Sequence, residues 1–310
     1  MVKGRPVVVG TRGSDLALRQ AGEVMEKLQS LYPEREFTLK VIKTHGDKAP
    51  RTPISHFEGR GIFVKELELA LLEYQIDLAV HSLKDLPSET PQEMAIAAVT
   101  QRQDPRDVLI SGDNASLARL PSGARVGTGS PRRAAQLLAF RPDLAMADIR
   151  GNVDTRIRKV MDGEYDGVIL AAAGLLRLGW QDRITEYIPL DICVPAVGQG
   201  ALAVETRAGD EENIRLASTI DHAPTRQAIE AERALLQELG GGCQVPIAAH
   251  GRIMNGMLHL AGVVASPDGK TIIRAEGKGD VDNPMELGRR VAQKLVASGA
   301  ERLLVRVVSP

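Results

Sequence analysis

Four polar residues directly follow a short apolar segment, and their side chains suit proton transfer and anion binding. His81, Ser82, Lys84 and Asp85 come after the apolar residues 78–80. If residues 76–80 form a strand, these side chains lie at its carboxyl end, where α/β active sites are found. Asp85 could then transfer a proton or stabilise a developing cation, and Lys84 could pair with a carboxylate. A helix-capping aspartate and a surface lysine are the alternative that this run leaves open.

Arginines gather near a glycine-containing turn at residues 127–130. They are Arg132, Arg133, Arg150, Arg156 and Arg158, with Arg12 at the matching turn near the N-terminus. The helix macrodipole disfavours a cation in the first helical turn by up to about 1 kcal/mol, so Arg132 and Arg133 imply a nearby anion. Backbone N–H groups and the hydroxyls of Ser14, Thr128 and Ser130 could bind that anion together with the guanidinium groups.

The turn at 127–130 does not match a nucleotide-binding motif. A phosphate-binding P-loop needs Gly-Lys-Ser/Thr, and the dinucleotide fingerprint needs a glycine where Arg132 stands. A carboxylate ligand therefore fits as well as a phosphate. The arginines could also be solvated or pair within the chain with Asp143, Asp148 and Asp154, which would leave no ligand site here.

The two cysteines lie in different surroundings. They are too few for a disulfide framework and lack the spacing of a zinc site, so no metal centre is expected. Cys193 stands between Ile192 and Val194, which is typical of a buried structural thiol. Cys243 follows three glycines, so it could be a nucleophile or an attachment point as readily as a core residue.

Apolar periodicity predicts two α/β blocks followed by an α+β region. Strands are predicted at 6–10, 37–44, 76–80, 124–127, 147–150 and 167–172, and helices at 15–31, 62–74, 131–140, 155–163, 225–239 and 284–297. A hairpin is predicted at 258–276 around the turn 266–269. Both blocks open with a strand, a Gly-Thr turn and a serine. The predicted division is a first α/β domain at 1–100, a second at 101–200, a return segment to the first at 201–222, and an α+β domain at 223–310.

Composition argues against several classes of partner. Of the 310 residues, 39 are Lys or Arg and 40 are Asp or Glu, so no overall field attracts nucleic acid or an anionic membrane. Aromatic residues make up only 3%, too few for the stacking platforms that bind single strands. No segment has the length of a signal peptide or a bilayer span, so a cytoplasmic location is expected.

Several motifs, in this order, resemble those of the porphobilinogen deaminase family over nearly the whole chain. They are Thr-Arg-Gly-Ser at 11–14, Gly-Ile-Phe-Val-Lys-Glu-Leu-Glu at 61–68, Ala-Val-His-Ser-Leu-Lys-Asp-Leu-Pro at 79–87, Arg-Gly-Asn-Val-Asp-Thr-Arg at 150–156, Pro-Ala-Val-Gly-Gln-Gly at 195–200 and Gly-Gly-Cys-Gln-Val-Pro at 241–246. The resemblance implies two similar α/β domains flanking a cleft, as in periplasmic binding proteins, plus a smaller α+β third domain that carries the cofactor cysteine.

The resemblance also implies a function and its residues. The family deaminates four molecules of porphobilinogen and joins them head to tail into hydroxymethylbilane. The chain grows on a dipyrromethane primer that is attached through a thioether to a cysteine, which corresponds to Cys243 in this sequence. Asp85 is implied as the catalytic acid, with Lys84 beside it. Carboxylates of cofactor and substrate are expected at Arg12, Ser14, Thr128, Ser130, Arg132, Arg133, Arg150, Arg156 and Arg177, and further substrate contacts at Phe63 and Gln199. A monomer that binds neither nucleic acid nor membrane is expected.

The chain departs from the family pattern in two segments. His56 and Arg60 stand where many relatives carry lysine, and Gly129 and Pro131 replace a common serine and leucine.

The sequence leaves two other functions open. A noncatalytic two-domain anion-binding protein would also use an arginine-lined cleft, but it has no use for Cys243 on a third domain. A phosphate-handling transferase would need a P-loop or metal-binding carboxylates.

Overall fold

The computed structural model describes residues 5–43, 64–240 and 246–308, with side chains to residue 304. The strands in chain order are β1 (Val7–Thr11), β2 (Phe37–Val41), β3 (Leu78–Ser82), β4 (Met94–Val99), β5 (Asp107–Ser111), β6 (Arg125–Gly127), β7 (Ala145–Ala147), β8 (Gly167–Ala171), β9 (Glu186–Tyr187), β10 (Leu202–Arg207), β11 (Ile247–Met254), β12 (Met257–Ala265) and β13 (Ile272–Asp280). The α-helices are α1 (Asp15–Leu31), α2 (Lys65–Leu72), α3 (Pro131–Phe140), α4 (Val153–Met161), α5 (Ala172–Arg177), α6 (Glu211–Ser218), α7 (Ala223–Glu238), α8 (Pro284–Ala297) and α9 (Glu301–Val308).

The chain divides into two compact units. Unit 1 comprises residues 1–102 and 201–226, and unit 2 comprises 103–200 and 227–310. The chain therefore passes between the units at 102–103, at 200–201 and again at 226–227. Among the described residues, no helix has both the length and the apolar character needed to cross a membrane.

Unit 1 is built on a five-stranded mixed sheet in the order β2-β1-β3-β10-β4. Strands β2, β1 and β3 are parallel, and β10 runs antiparallel to both β3 and β4. Helix α1 begins where the Ser14 hydroxyl accepts a hydrogen bond from Ala17 N at 3.3 Å, which satisfies one of the free N–H groups of the first turn. Its buried face, with Val24 and Leu28, packs in one core with Val9 and Leu78 of the sheet.

Unit 2 contains a second five-stranded sheet, in the order β7-β6-β8-β5-β9. Its pattern repeats the first: β7, β6 and β8 are parallel, and β5 runs antiparallel to β8 and β9. Helix α3 starts with Pro131 at its first position, where the missing N–H has no helical partner in any case. This repetition supports the prediction of two similar α/β blocks from their matching opening turns.

A smaller α+β domain completes unit 2. Strands β11, β12 and β13 form an antiparallel sheet, which packs with helices α7 and α8 around its own core. The turn between β12 and β13 lies against helix α3, because a Cβ placed on Gly269 would come within 2.5 Å of the Ala135 carbonyl oxygen. The predicted fold class, two similar α/β sheets plus a smaller α+β domain, is confirmed.

Sequence periodicity located the helices better than the strands. Helices α1, α3 and α8 begin and end at the predicted residues. Strands β4, β5, β9, β10 and β11 and helices α5, α6 and α9 were not predicted, and the strand expected at 147–150 lies instead at Ala145–Ala147. The helix expected at 62–74 is described from Lys65 to Leu72, and residues 62–63 lie outside the described part of the chain.

Candidate functional site

The carboxyl edge of the unit 1 sheet brings together four of the predicted site residues. Strands β1 and β3 are parallel neighbours, so the residues that follow them, Arg12 and Ser14 on one side and Lys84 and Asp85 on the other, emerge at the same edge. Asp85 ends a 3₁₀ turn (Leu83–Asp85) and is exposed. Its carboxylate is thus accessible to a ligand, as an acid catalyst needs to be.

A hydrogen bond fixes the end of β3 against helix α1. Gln20 Nε2 donates to Ser82 Oγ at 2.8 Å, and Leu83 N donates to the Ala201 carbonyl at 3.1 Å. These bonds anchor the residues that lead into the turn that carries Asp85. The predicted placement of this turn at a strand's carboxyl end is therefore confirmed, whereas its role in the reaction stays a prediction.

Three titratable side chains interact at a position that the sequence did not reveal: His81 and Glu205 are buried, and Glu68 is half-buried. His81 Nε2 lies 3.0 Å from Glu205 Oε2, and both side chains are buried. Burial raises the pKa of Glu68 on helix α2, Glu205 raises it further, and His81 and Lys65 act in the opposite direction. A raised pKa follows because water is excluded and a second carboxylate is close.

The carboxyl edge of the unit 2 sheet carries the second group of predicted residues. Ser130 stands at the N-cap of helix α3 without a capping bond from its hydroxyl, and Ser130 N donates to Thr128 Oγ1 at 3.2 Å. The arginines at this edge have partners inside the chain: Arg150 Nε with Asp148 at 3.1 Å, Arg156 Nε with the Gly151 carbonyl at 2.8 Å, and Arg177 Nη2 with the Gly200 carbonyl at 3.0 Å.

Arg132 and Arg133 have an anionic partner within the chain, so the helix dipole does not by itself require a ligand here, and their binding to cofactor carboxylates stays a prediction. Asp107 Oδ2 accepts a hydrogen bond from Arg132 Nη1 at 2.7 Å, and its Oδ1 accepts from Arg133 Nε at 2.9 Å and lies 2.7 Å from Arg133 Nη2. The two arginines are 6% and 7% exposed. The helix dipole did require an anion here, but Asp107 supplies it. Asp143, Asp148 and Asp154 were considered as alternative partners for the arginines. They form ion pairs with Arg141, Arg150 and Arg158, respectively.

Asp107 also contacts the side chains of Gln199 and Cys193. Gln199 Nε2 donates to Asp107 Oδ1 at 2.9 Å and to the Pro105 carbonyl at 2.7 Å, and Gln199 is only 1% exposed. These internal bonds give Gln199 a structural position, and its contact with substrate stays a prediction. Burial would raise the pKa of Asp107, but the charges of Arg132 and Arg133 and hydrogen bonds from Arg132 and Gln199 outweigh it and lower that pKa.

Cys193 is a buried thiol, as predicted from its apolar neighbours. It is 0% exposed, and its Sγ lies 3.4 Å from Asp107 Oδ2 and 3.4 Å from Arg132 Nη1. Burial and the adjacent Asp107 carboxylate raise its pKa to about 12, against the opposing effect of the two arginines. A buried neutral thiol is a poor nucleophile.

Four residues of the sequence argument lie outside the described part of the chain. Cys243 and Phe63 are the predicted attachment point and a predicted substrate contact, and His56 and Arg60 are departures from the family pattern.

Among described residues, sequence reasoning missed Asp107, Glu205 and Glu68. The signal for Asp107 was present: a lone aspartate directly before the apolar run 108–110 resembles Asp77 directly before 78–80. Asp77 is likewise buried and holds Arg5 and Arg207. A charged residue at the edge of a buried strand requires a partner, although sequence does not name that partner.

The chain matches one protein family in two consecutive segments. Residues 7–215 match the family described as "Porphobilinogen deaminase, dipyromethane cofactor binding domain", and residues 226–297 match "Porphobilinogen deaminase, C-terminal domain". The porphobilinogen deaminase of Desulforudis audaxviator is 52% identical over 303 residues, covering 98% of this chain and 98% of that protein. That of Desulforamulus reducens is 48% identical over 301 residues, covering 97% of each.

Similarity to solved structures is weaker. The periplasmic VFT2 domain of Bordetella pertussis BvgS gives a TM-score of 0.41 at 15% identity, covering 69% of this chain and 86% of that one. A periplasmic sulfonate-binding protein of Methylobacillus flagellatus gives 0.41 at 12% identity, covering 77% and 69%. Resemblances at this level support no conclusion about ligand or activity.

Proposed function

The chain belongs to the porphobilinogen deaminase family, and on that premise we propose which of its residues carry the reaction. The function is the deamination of porphobilinogen and the joining of four such units into the linear tetrapyrrole hydroxymethylbilane, with a dipyrromethane cofactor. At each addition the substrate loses ammonia from its aminomethyl carbon, and a new carbon–carbon bond forms at that carbon with loss of a pyrrole proton.

One observation carries the assignment of the binding edge: the first turn of helix α3 holds more positive than negative charge. Arg132 and Arg133 share the single carboxylate of Asp107, so the cluster carries a net charge of +1. Helix N-termini add partial positive charge, and the hydroxyls of Thr128 and Ser130 lie at the same turn. Porphobilinogen carries two carboxylates, so this edge of the sheet suits its substituents and those of dipyrromethane.

Further polar and charged residues suited to carboxylates stand at the carboxyl edge of each sheet. In unit 2, Arg150, Arg156 and Arg177 follow strands β7 and β8, and in unit 1, Arg12, Ser14 and Lys84 follow β1 and β3. Guanidinium groups bind carboxylates with two parallel hydrogen bonds, which gives both strength and orientation. We assign Thr128, Ser130 and Arg156 to the cofactor, and Arg12, Ser14, Arg150 and Arg177 to the substrate. Phe63 is assigned to the substrate on sequence alone.

Asp85 is assigned as the catalytic residue. It is the exposed carboxylate at the end of a turn that directly follows the anchored end of β3, so it has both access and a defined position. The carboxyl group can donate a proton to the leaving amine, and the carboxylate then stabilises the positive charge that develops on the pyrrole. Lys84, next to it in the same turn, can hold a substrate carboxylate.

We assign the attachment of dipyrromethane to Cys243. When bound, the cofactor supplies the terminal pyrrole carbon to which the first substrate is joined. Cys193 is unsuited to hold it, because the thiol is fully buried in the Asp107 cluster and has a raised pKa. Cys243 stands three positions after Gly240, whose φ of +61° is one that non-glycine residues rarely adopt.

Intact mass of the purified protein tests this assignment. The mass should exceed the sequence mass by two linked pyrrole units, the excess should resist thiol reductants, and peptide mapping should place it on residue 243. Cys243→Ser should lack both the excess mass and the activity, while Cys193→Ser, the matched control, should keep both. An active wild-type protein at its bare sequence mass, or an adduct on Cys193, would refute the assignment.

The same experiment separates the enzyme from an anion-binding protein. A binding protein would have the bare sequence mass and would not release ammonia from porphobilinogen. The cytoplasmic location and the monomeric state remain predictions from the sequence, and size-exclusion chromatography with light scattering measures the latter.

A further inference from the structure

The side chain of Asp107 joins three separate parts of unit 2. It is the first residue of strand β5 and is 0% exposed. Its two oxygens accept from Arg132 and Arg133 in the first turn of helix α3 and from Gln199 in the segment 195–200. The carboxylate therefore binds the positive first turn of a helix to a distant segment of the chain.

These bonds extend to the backbone next to two of the places where the chain passes between the units. Gln199 Nε2 reaches the Pro105 carbonyl at 2.7 Å, and Gln103 N donates to the Gly200 carbonyl at 3.1 Å. Arg132 Nη1 also donates to the Val194 carbonyl at 2.7 Å. Both connecting segments, 103–106 and 194–200, are thus tied to the arginines of helix α3 through one carboxylate.

The cluster formed by Asp107, Arg132 and Arg133 carries a net positive charge. Arginine stays protonated in proteins, so two guanidinium charges face one carboxylate charge. If the cluster served stability alone, apolar residues of similar volume would often serve as well or better. An excess of one positive charge, held at a helix N-terminus, is instead what a site for a ligand carboxylate requires.

We infer that Asp107 is a positioning residue for the polymerisation, which holds Arg132, Arg133 and Gln199 in place and leaves one positive charge for a carboxylate of the pyrrole chain. The inference rests on the proposed function. Asp107 acts through these groups and does not itself touch substrate, because its oxygens are taken up by the arginines and Gln199.

The test compares Asp107→Asn and Asp107→Glu with a control of matched stability. Leu216→Ala removes a buried side chain from a core of unit 1 that contains none of Asp107, Arg132, Arg133, Gln199 and Cys193. All variants are assayed well below their melting temperatures, and kcat, KM, melting temperature and cofactor occupancy by intact mass are measured. If Asp107 only stabilises the fold, Asp107→Asn should have the kcat and the cofactor occupancy of the Leu216→Ala control.

The positioning role predicts a different result. Displacement of catalytic or binding groups by about 1 Å can cost on the order of 100-fold in rate, so kcat of Asp107→Asn should fall by about that factor, with reduced cofactor occupancy. Asp107→Glu keeps the charge and should recover at least about tenfold of that loss. Loss of the negative charge alone would instead lower KM and leave kcat unchanged, because the cluster would become more positive.

Three outcomes decide the inference. A kcat for Asp107→Asn equal to that of the control overturns it, and so does a lower KM with parental kcat. If Asp107→Asn does not fold, the double variant Asp107→Asn with Arg133→Gln restores a cluster charge of +1, and parental kcat in that variant also overturns it. Wild-type protein without the added mass would refute the proposed function itself, so the two failures are distinguishable.

Discussion

A methyl group added at Gly269 tests whether the C-terminal domain is docked on helix α3. Gly269 lies in the turn between β12 and β13 with φ of +69°, and a Cβ there would lie 2.5 Å from Ala135 O and 2.8 Å from Ala139 N. Ordinary contacts begin at 3.4 Å, so the turn or the helix must move by about 0.9 Å. The atoms approached are backbone atoms in the middle of a helix, which cannot rotate away.

The loss of stability expected for Gly269→Ala has two parts. A left-handed conformation costs a non-glycine residue about 1 kcal/mol, and overpacking of this kind costs a further 1–3 kcal/mol or so. Gly256, in the turn between β11 and β12, has φ of +72° and nothing within 4 Å of a built Cβ, so Gly256→Ala should show only the first part. Gly269→Ala should therefore lose about 2 kcal/mol more stability than Gly256→Ala, and this difference reports the contact between the turn and helix α3.

Hydrogen exchange and thermal unfolding provide the assay. An excess of about 2 kcal/mol corresponds to roughly 30-fold faster exchange of the protected amides of helix α3 and to a further fall in melting temperature of about 4–8 °C. Because the first turn of α3 carries Arg132 and Arg133, cofactor occupancy should fall as well. Equal exchange rates and equal melting temperatures for Gly269→Ala and Gly256→Ala would refute the docking of this hairpin on α3.

Three further predictions concern titratable groups. Cys193 should resist alkylation in the folded protein at about pH 8 and react once the protein is unfolded, because its thiol is buried with a pKa of about 12; rapid labelling of the folded protein at this residue would contradict the structure. The raised pKa of Glu68 means that its contribution to stability is present below the ordinary value of 4.5 and is lost as pH rises through the folded value. Glu68→Gln should therefore gain stability relative to wild type over that rise, as measured by urea unfolding across pH, and a difference independent of pH would show that the pKa is not raised. Asp85→Asn should lower kcat on the order of 100-fold while leaving the melting temperature unchanged, since Asp85 is exposed; near-parental turnover would remove it from the catalytic role.

Sequence alone determined those features whose causes are local. Apolar periodicity located α1, α3 and α8, and the local chemistry at their starts agrees with it, because the Ser14 hydroxyl caps α1 and a proline stands at the first position of α3 and of α8. The apolar run at 76–80, interpreted as a strand, placed Asp85 just beyond that strand's carboxyl end. The order of six motifs was enough to indicate the family.

Tertiary structure decided which charges meet. The helix dipole at α3 predicted an anion for Arg132 and Arg133, but Asp107 lies 25 and 26 positions away along the chain, and no periodic pattern links residues at that distance. The insertion of β10 between β3 and β4 brings Glu205 to His81 in the same way. Buried polar groups must be paired, and this requirement can be read from a sequence, but the partner is fixed by strand order and helix packing, which exist only in the folded chain.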